Sequence, residues 1–239
     1  MSPCIERSHG RERERDESPS RYEAMWDEYS RFWDAEPYFR RFRFLGDEWG
    51  PDEWVRQIVG AYAAPYLRPE SRALEIGPGG GRYTVRLAPL CFELACVDVS
   101  GEMLARLERR LAHYGHVAYE KGNGRDLGAF PEKSVDFVFA FNVFVQLEIE
   151  DVYGYLLEIE RVLSPGGAAS IHYASLSSEE GFAYFLSQRE RWAADPGQRG
   201  RFSMMTLETM NLLAGRAGLV VARNESVGRD AMAVLRKKS

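Results

Sequence analysis

Short apolar segments alternate with amphipathic segments from residue 72 to the end of the chain, and this alternation constrains the fold more than any other feature. The apolar segments have the length of strands, and the segments between most of them have helical spacing. Strands are predicted at 72–76, 92–99, 116–120, 135–141, 168–173, 219–222 and 232–235. Helices are predicted at 83–90, 102–114, 151–163 and 206–217. Strands that are separated by helices pair in parallel through right-handed crossovers.

The last two predicted strands are joined by a loop without a helix, so we expect them to pair antiparallel at one edge of the sheet. The sequence therefore predicts an α/β protein, a three-layer sandwich with a seven-stranded, mostly parallel sheet and an antiparallel C-terminal edge hairpin. The chain has 239 residues of which 45% are hydrophobic, so it can bury a core of the size that this fold needs.

The chain is predicted to have three parts. Residues 1–20 contain almost no apolar side chains and are expected to form a disordered, charged tail. Residues 21–68 are dense in aromatic side chains at helical spacing, and we expect them to form a helical cap on the main domain. The main domain is expected to span residues 69–239, with 175–202 as an insertion that covers a substrate pocket.

A glycine-rich turn lies between the first predicted strand and the first helix, from Glu75 to Arg82. Its glycines allow a sharp turn and let a ligand approach the backbone closely. Crevices beyond the carboxyl ends of parallel strands are where α/β sheets bind ligands. A dinucleotide fingerprint requires a further glycine three residues after Gly79, where this chain has Arg82, and this counts against NAD.

An acidic side chain, Asp98, ends the second predicted strand. A carboxylate at this position can accept hydrogen bonds from the two hydroxyls of a ribose. Both NAD and S-adenosylmethionine carry a ribose, so Asp98 alone does not distinguish between them.

Five segments, ALEIGPGGGRYT, CVDVSGEML, GNGRDL, SVDFVFAFNVF and EIERVLSPGG, resemble in order and spacing the class I S-adenosylmethionine-dependent methyltransferase family. The resemblance covers about residues 70–173. It implies a Rossmann-like domain with S-adenosylmethionine as the cofactor. The cofactor-binding residues that it implies are Glu75, Gly77, Pro78, Gly79, Asp98, Val99, Met103, Asn123, Gly124 and Asn142.

The family also implies a role for each of these positions. The glycine-rich turn, from Glu75 to Gly79, borders the methionine part of the cofactor, and Asp98 holds the ribose with Val99 and Met103 beside the ribose or adenine. The adenine contact falls on Asn123, where the family often has Asp, and on the backbone of Gly124. The last position, Asn142, lies near the reactive end.

Three further residues are candidates for the acceptor side. His172 ends the fifth predicted strand and is the candidate catalytic base, or a substrate contact, if the acceptor is a hydroxyl. Gln146 lies one turn beyond the fourth strand, where relatives often carry His; it cannot act as a base and would orient a substrate. Trp49 in the aromatic cap is the third candidate substrate contact.

The charge and residue pattern narrow the class of acceptor. The net charge is −5, which does not favour a nucleic-acid partner. The fourth strand ends in FNVF, not in the Asn-Pro-Pro-Tyr type of site that methylates bases. A small-molecule or glycosyl acceptor is therefore expected. The three cysteines and four histidines lack metal-ligand spacing, so no metal is predicted.

No apolar stretch is long enough for a membrane span and no signal peptide is visible, so a cytoplasmic protein without a membrane partner is expected. The predicted activity is methyl transfer to a hydroxyl by in-line displacement. N-methylation of an amine, a non-catalytic S-adenosylmethionine-binding module, methylation of a protein or nucleic acid, and an NAD-dependent oxidoreductase remain alternatives. The oligomeric state is not predicted.

Overall fold

The computed structural model describes residues 21–195 and 200–239, and it confirms the predicted sandwich of helices around a seven-stranded sheet. The strands are β1 (Arg72–Ile76), β2 (Glu93–Asp98), β3 (Val117–Lys121), β4 (Val135–Ala140), β5 (Leu163–Ala174), β6 (Leu219–Val227) and β7 (Asp230–Lys237). Their order across the sheet is β3-β2-β1-β4-β5-β7-β6. Strands β1 to β5 pair in parallel, and β7 is antiparallel to both of its neighbours. The β6–β7 hairpin confirms the predicted antiparallel edge.

The helices are α1 (Arg21–Ala35), α2 (Asp52–Tyr62), α3 (Thr84–Leu87), α4 (Gly101–Leu111), α5 (Ile149–Val162), α6 (Glu179–Ala194) and α7 (Leu207–Arg216). Side-chain caps fix where several of them begin, because an N-cap hydroxyl satisfies a backbone N–H that has no partner within the helix. Ser100 Oγ accepts from Met103 N at 3.1 Å at the start of α4. Thr206 does the same for α7 and Ser178 for α6.

Two apolar clusters cover the two faces of the sheet and form the core. All six residues of β2 are buried, as are four of the five in β1, because helices cover both faces of a parallel sheet. In α4, Met103, Leu107 and Leu111 are buried at a spacing of four residues. This packing fixes the carboxyl ends of β1, β2 and β4 next to one another.

Several predicted boundaries are wrong. Strand β5 begins at Leu163, not at residue 168, because Leu163 pairs with Val135 across a bulge that accommodates the intervening Ser-Pro-Gly-Gly sequence. The hairpin strands are also longer than predicted, since Gly228, with φ of +60°, permits a tight turn between them. The helix predicted at 83–90 ends at Leu87 and continues as a 3-10 turn through Pro89.

The predicted insertion contains a helix, α6, which the sequence analysis did not anticipate. Ser178 Oγ donates to Gly228 O at 2.9 Å, so α6 begins on the turn of the β6–β7 hairpin. Farther along, Gln188 exchanges two hydrogen bonds with the backbone of Phe202. The predicted tail, 1–20, and residues 196–199 of the insertion lie outside the described residues. No helix within the described ranges combines the length and apolar character of a membrane span.

Candidate functional site

A cavity of about 930 Å³, measured together with its open mouth, lies beyond the carboxyl ends of β1, β2 and β4. Its walls come from the glycine-rich turn after β1, the start of α4, the loops that follow β3 and β4, and the aromatic cap. The position is the one expected for a ligand site in a parallel sheet.

Eleven of the thirteen predicted site residues line this cavity together. They are Trp49, Glu75, Gly77, Pro78, Gly79, Asp98, Val99, Met103, Gly124, Asn142 and Gln146. Their individual roles stay predictions. The two that do not line it are Asn123 and His172.

The side chain of Asn123 is exposed and is occupied within its own loop. Its Oδ1 accepts from Arg125 N at 2.9 Å and from Asp126 N at 3.0 Å, while its Nδ2 donates to Asp126 Oδ2 at 3.0 Å. These bonds shape the turn that brings Gly124, with φ of +73°, to the cavity. The predicted adenine contact of the Asn123 side chain therefore has no support from this geometry.

The backbone of the glycine-rich turn packs closely against Val143 at Gly77 and faces open space at Gly79. Gly77 has φ of +64°, and a Cβ there would lie 2.3 Å from Val143 Cγ2. Gly79 has φ of +52°, but a Cβ there would meet no atom within 4 Å. Only glycine adopts both conformations readily. The turn thus leaves the backbone at Gly79 accessible from the cavity.

Asp98 is buried beside this turn. Its Oδ2 accepts from Gly79 N at 3.2 Å and its Oδ1 accepts from Ser100 N at 2.9 Å. Burial raises the pKa of this carboxyl to about 6 despite the two backbone hydrogen bonds. A carboxylate has about four lone-pair positions, so acceptor capacity remains for hydroxyl groups of a ligand.

Glu75 is more deeply buried, and no residue in the described chain hydrogen-bonds to its Oε2. Burial raises the pKa of this carboxyl to about 8; the contact with the Thr84 hydroxyl opposes this shift, and the nearby Asp98 carboxylate adds to it. An unpaired buried carboxyl oxygen destabilises a protein. At the wall of a cavity it is suited to a cationic or hydrogen-bond-donating ligand.

Arg82 also lines the cavity, but its guanidinium binds backbone carbonyls of the cap. Nη1 donates to Gly46 O at 2.9 Å, and Nη2 donates to Gly50 O at 2.6 Å and Pro51 O at 3.2 Å. The sequence analysis noted Arg82 only as a missing glycine. Its three bonds hold the segment that contains Leu45 and Trp49 against the cavity.

Aromatic side chains form much of the remaining wall. The sequence analysis did not single them out as site residues, although it noted the aromatic density of the cap. They are Tyr22, Trp26, Tyr83, Phe141 and Tyr155. The Tyr83 and Phe141 rings stack with centroids 4.3 Å apart, and Trp26 meets Trp49 edge to face at 6.1 Å.

Helix α1 crosses the edge of the cavity and is held there by polar contacts with α4 and its N-cap, β3 and α5. Arg106 Nε of α4 donates to Ser30 Oγ at 2.7 Å, and its Nη2 pairs with Asp34. Ser100 Oγ donates to Asp27 Oδ1 at 2.5 Å. Contacts nearer the start of α1 are Lys121 with Glu23 and Tyr22 with Asp151.

His172 lies behind the cavity wall, with 3% of its surface exposed. Its ring stacks on Phe141 with centroids 4.0 Å apart, and Phe141 is the residue that faces the cavity. The described residues of the predicted insertion, 175–195 and 200–202, do not line the cavity either. Base catalysis by His172 and substrate covering by the insertion stay predictions to which this geometry gives no support.

Part of the chain is similar to known methyltransferases. Residues 74–171 match a family described as "Methyltransferase domain". Over 94 residues the chain is 32% identical to demethylmenaquinone methyltransferase from Tropheryma whipplei (strain Twist). That alignment covers 39% of this chain and 38% of the relative, so the chain matches less than two fifths of that protein's length.

Solved structures resemble the fold over a longer stretch. The PH0226 protein from Pyrococcus horikoshii OT3 matches with a TM-score of 0.64 and 20% identity, covering 85% of this chain and 99% of that one. Magnesium protoporphyrin IX methyltransferase from Synechocystis PCC 6803 with bound SAH matches with a TM-score of 0.62 and 15% identity, covering 78% and 83%. At these identities the likeness establishes the fold.

Proposed function

We propose that the chain is a class I S-adenosylmethionine-dependent methyltransferase, which transfers a methyl group from S-adenosylmethionine to an uncharged small-molecule acceptor, at a hydroxyl; the match of residues 74–171 to a methyltransferase domain supports this. The observation that carries the proposal is the cavity that combines two buried carboxyls with an accessible glycine backbone. The match to a methyltransferase domain supports S-adenosylmethionine as the donor. The other residues of the cavity wall indicate the class of acceptor.

The charges in the cavity suit S-adenosylmethionine better than a dinucleotide. The unpaired Oε2 of Glu75 offers an acceptor to a cationic group, and a sulfonium with an ammonium group supplies one. A pyrophosphate would have to be held by backbone N–H groups here, but Gly79 N already donates to Asp98, and Arg82, the arginine in the cavity wall, is occupied by cap carbonyls. The residues present therefore fit S-adenosylmethionine, and an NAD-dependent activity is disfavoured.

We propose a set of residues for each part of the donor, from the positions of these residues in the cavity wall. The backbone around Gly77, Pro78 and Gly79, with Glu75, would hold the methionine part. Asp98 would accept from the ribose hydroxyls. The apolar side chains of Val99 and Met103, with the backbone of Gly124, would enclose the adenine, and Asn142 would lie at the reactive end.

The acceptor half of the cavity is mostly aromatic, since Trp26, Trp49, Tyr83 and Phe141 line it. Flat apolar surfaces of this kind bury rings, including the apolar face of a sugar ring. No free cationic group in the described cavity wall would pair with a phosphate or carboxylate, so the acceptor is proposed to be uncharged. Gln146 can donate to or accept from a hydroxyl.

The protein's contribution to catalysis would be mainly positioning. When bound, S-adenosylmethionine supplies an electrophilic methyl group. The cap and the glycine-rich turn would hold the acceptor oxygen in line with it, which can contribute about 7–11 kcal/mol through proximity and orientation. As the new O–CH3 bond forms and the S–CH3 bond breaks, the hydroxyl proton would pass to water at the open mouth of the cavity, while the cap would limit the water that reaches the methyl group.

An assay with methyl-labelled S-adenosylmethionine and matched acceptors tests the proposal. Each set of three acceptors would share one ring and differ only in its substituent, which is a hydroxyl, an amine or a phosphate ester. We expect label transfer to hydroxyl acceptors, none to the phosphate esters, and loss of transfer in Asp98→Ala. Transfer only to amines would favour N-methylation, which the unpaired Glu75 carboxyl also suits. Donor binding without transfer to any acceptor would favour a non-catalytic binding module.

A further inference from the structure

A buried polar chain connects the β6–β7 turn to the cavity through His172. His172 Nδ1 lies 3.3 Å from the backbone nitrogen of Asn142, which donates to it. On the other side of the ring, His172 Nε2 lies 3.5 Å from Asp230 Oδ2. The side chains of His172 and Asp230 are 3% and 7% exposed, so both contacts are shielded from water.

The residue at the cavity end of this chain has an unusual backbone. Asn142 has φ of +61°, and only one other non-glycine residue in the described chain, Lys133, has positive φ. Residues in this left-handed region cost on the order of 1–3 kcal/mol unless their surroundings fix them, and such residues cluster at functional sites. Asn142 follows β4 directly and lines the cavity, so its conformation sets the course of the loop that continues to Gln146.

The hydrogen-bonding pattern requires one state of the imidazole. Nδ1 accepts from Asn142 N, so it carries no proton, and Nε2 then carries the proton that faces Asp230. Burial lowers the pKa of His172, Arg229 lowers it further, and the contact with Asp230 opposes both effects. In the described structure these are the charged groups that act on the ring.

We propose that His172 and Asp230 are positioning residues, which fix the backbone of Asn142 and thereby the wall of the cavity at the reactive end of the donor. This inference rests on the proposed function for the identity of the donor. It differs from the predicted role of His172 as a base, because the imidazole contacts Phe141 and Asn142 and does not line the cavity.

Nitrogen NMR of the histidine rings tests the first step without donor or acceptor. His172 signals would be assigned by their loss in His172→Asn. We expect an Nε2-protonated ring from pH 6 to 8. An Nδ1-protonated ring would overturn the proposal. Since no ligand is present, this outcome is independent of whether the protein proves to be a methyltransferase.

Binding of S-adenosylhomocysteine to three variants tests the second step. His172→Phe keeps a ring against Phe141 but removes the acceptor for Asn142 N, and we expect about tenfold weaker binding, as a buried N–H loses its partner. His172→Asn retains an acceptor oxygen near the Nδ1 position, and binding is expected within about twofold of wild type, by the same hydrogen-bond argument.

The control is Ser170→Ala, two residues earlier on the same face of β5, where Ser170 Oγ donates to Tyr62 O away from the cavity. We expect unchanged affinity. Equal losses in all three variants, or wild-type affinity in a folded His172→Phe, would overturn the proposal. If His172→Phe does not fold, the test rests on His172→Asn. A large loss of affinity for S-adenosylhomocysteine in that variant, with a melting temperature equal to that of wild type, would overturn the proposal.

Discussion

At the scale of single residues, the two buried carboxyls dominate the chemistry of the cavity. Burial raises the pKa of Glu75 to about 8 and that of Asp98 to about 6. Both shifts mean that the folded protein without ligand holds protons that the unfolded chain releases at lower pH. A cationic donor would offset part of the free energy needed to ionise these buried carboxyls, since it interacts favourably with the ionised forms.

Glu75→Gln is expected to stabilise the protein without ligand. The Glu75 contribution to stability is fully present below its unfolded pKa of about 4.5 and is lost as pH rises to about 8. The glutamine side chain does not titrate, so the variant does not lose stability in this way. The difference in free energy of unfolding between Glu75→Gln and wild type should therefore grow across that range to on the order of 3 kcal/mol. Urea unfolding at pH 5, 6.5 and 8 measures it. Exposed Glu70→Gln is the control, and an equal gain there would contradict the explanation.

Asp98→Ala is expected to weaken binding of S-adenosylmethionine by about tenfold or more, because it removes the ribose acceptor and leaves two backbone N–H groups unpaired. Titration calorimetry of the folded variant measures this change. The control is Asp52→Ala, which removes an exposed carboxylate that pairs with Arg56 outside the cavity. Unchanged affinity in Asp98→Ala would exclude the ribose role.

At the scale of elements, helix α1 contributes Tyr22 and Trp26 to the cavity wall. Arg106 joins it to α4 through Ser30 and Asp34, and its guanidinium lies 5.6 Å from the Trp33 ring centroid. The two bonds to Ser30 are partly shielded from water, whereas the Asp34 side chain is 62% exposed, so the ion pair itself contributes little.

Arg106→Ala is expected to loosen α1, which should raise amide exchange in residues 22–35 several-fold and speed donor release. The reason is that Arg106 makes the bonds to Ser30 and Asp34, whereas the remaining polar contacts described above hold the first half of α1, so the effect should be largest in its second half. Hydrogen exchange followed by mass spectrometry measures the first effect, and stopped-flow displacement measures the second. Exposed Arg109→Ala, on the same helix, is the control. Equal exchange in both variants would show that α1 is held by other contacts.

Elements with a strong local pattern could be predicted from the sequence, whereas elements fixed by distant contacts could not. The alternation that begins at residue 72 located every strand, since buried parallel strands are short and apolar. The start of β5 was missed because its pairing with Val135 overrides the local preference of Pro165 and Gly166. Helix α6 was missed because it exposes Phe182, Phe185 and Trp192, which obscures an amphipathic pattern.

The same distinction between local patterns and distant contacts applies to the residues of the candidate site. Residues within the glycine-rich turn and at the end of β2 were identified because a local motif places them together. The role of Arg82 was not, because its partners lie 31 to 36 residues earlier in the chain. Tyr22 and Trp26 reach the cavity only through the tertiary contacts of α1, for which no local signal exists.

At the scale of the whole molecule, the distribution of charge agrees with a cationic donor and an uncharged acceptor. The net charge is −5, and of the two carboxyls in the cavity Asp98, with a pKa of about 6, is mostly ionised at neutral pH where the donor would bind. The cap supplies aromatic walls on the side that faces them. The sheet, the cap and the turn together form one cavity, whose wall contains both the buried carboxyls and the aromatic rings.

Titration calorimetry of the purified protein with S-adenosylmethionine, S-adenosylhomocysteine and NAD tests this account most directly. The account predicts saturable binding of the first two ligands in the micromolar range, and no measurable binding of NAD. Because the unpaired Glu75 carboxyl and the occupied Arg82 guanidinium are the basis of this preference, binding of NAD alone would contradict the account.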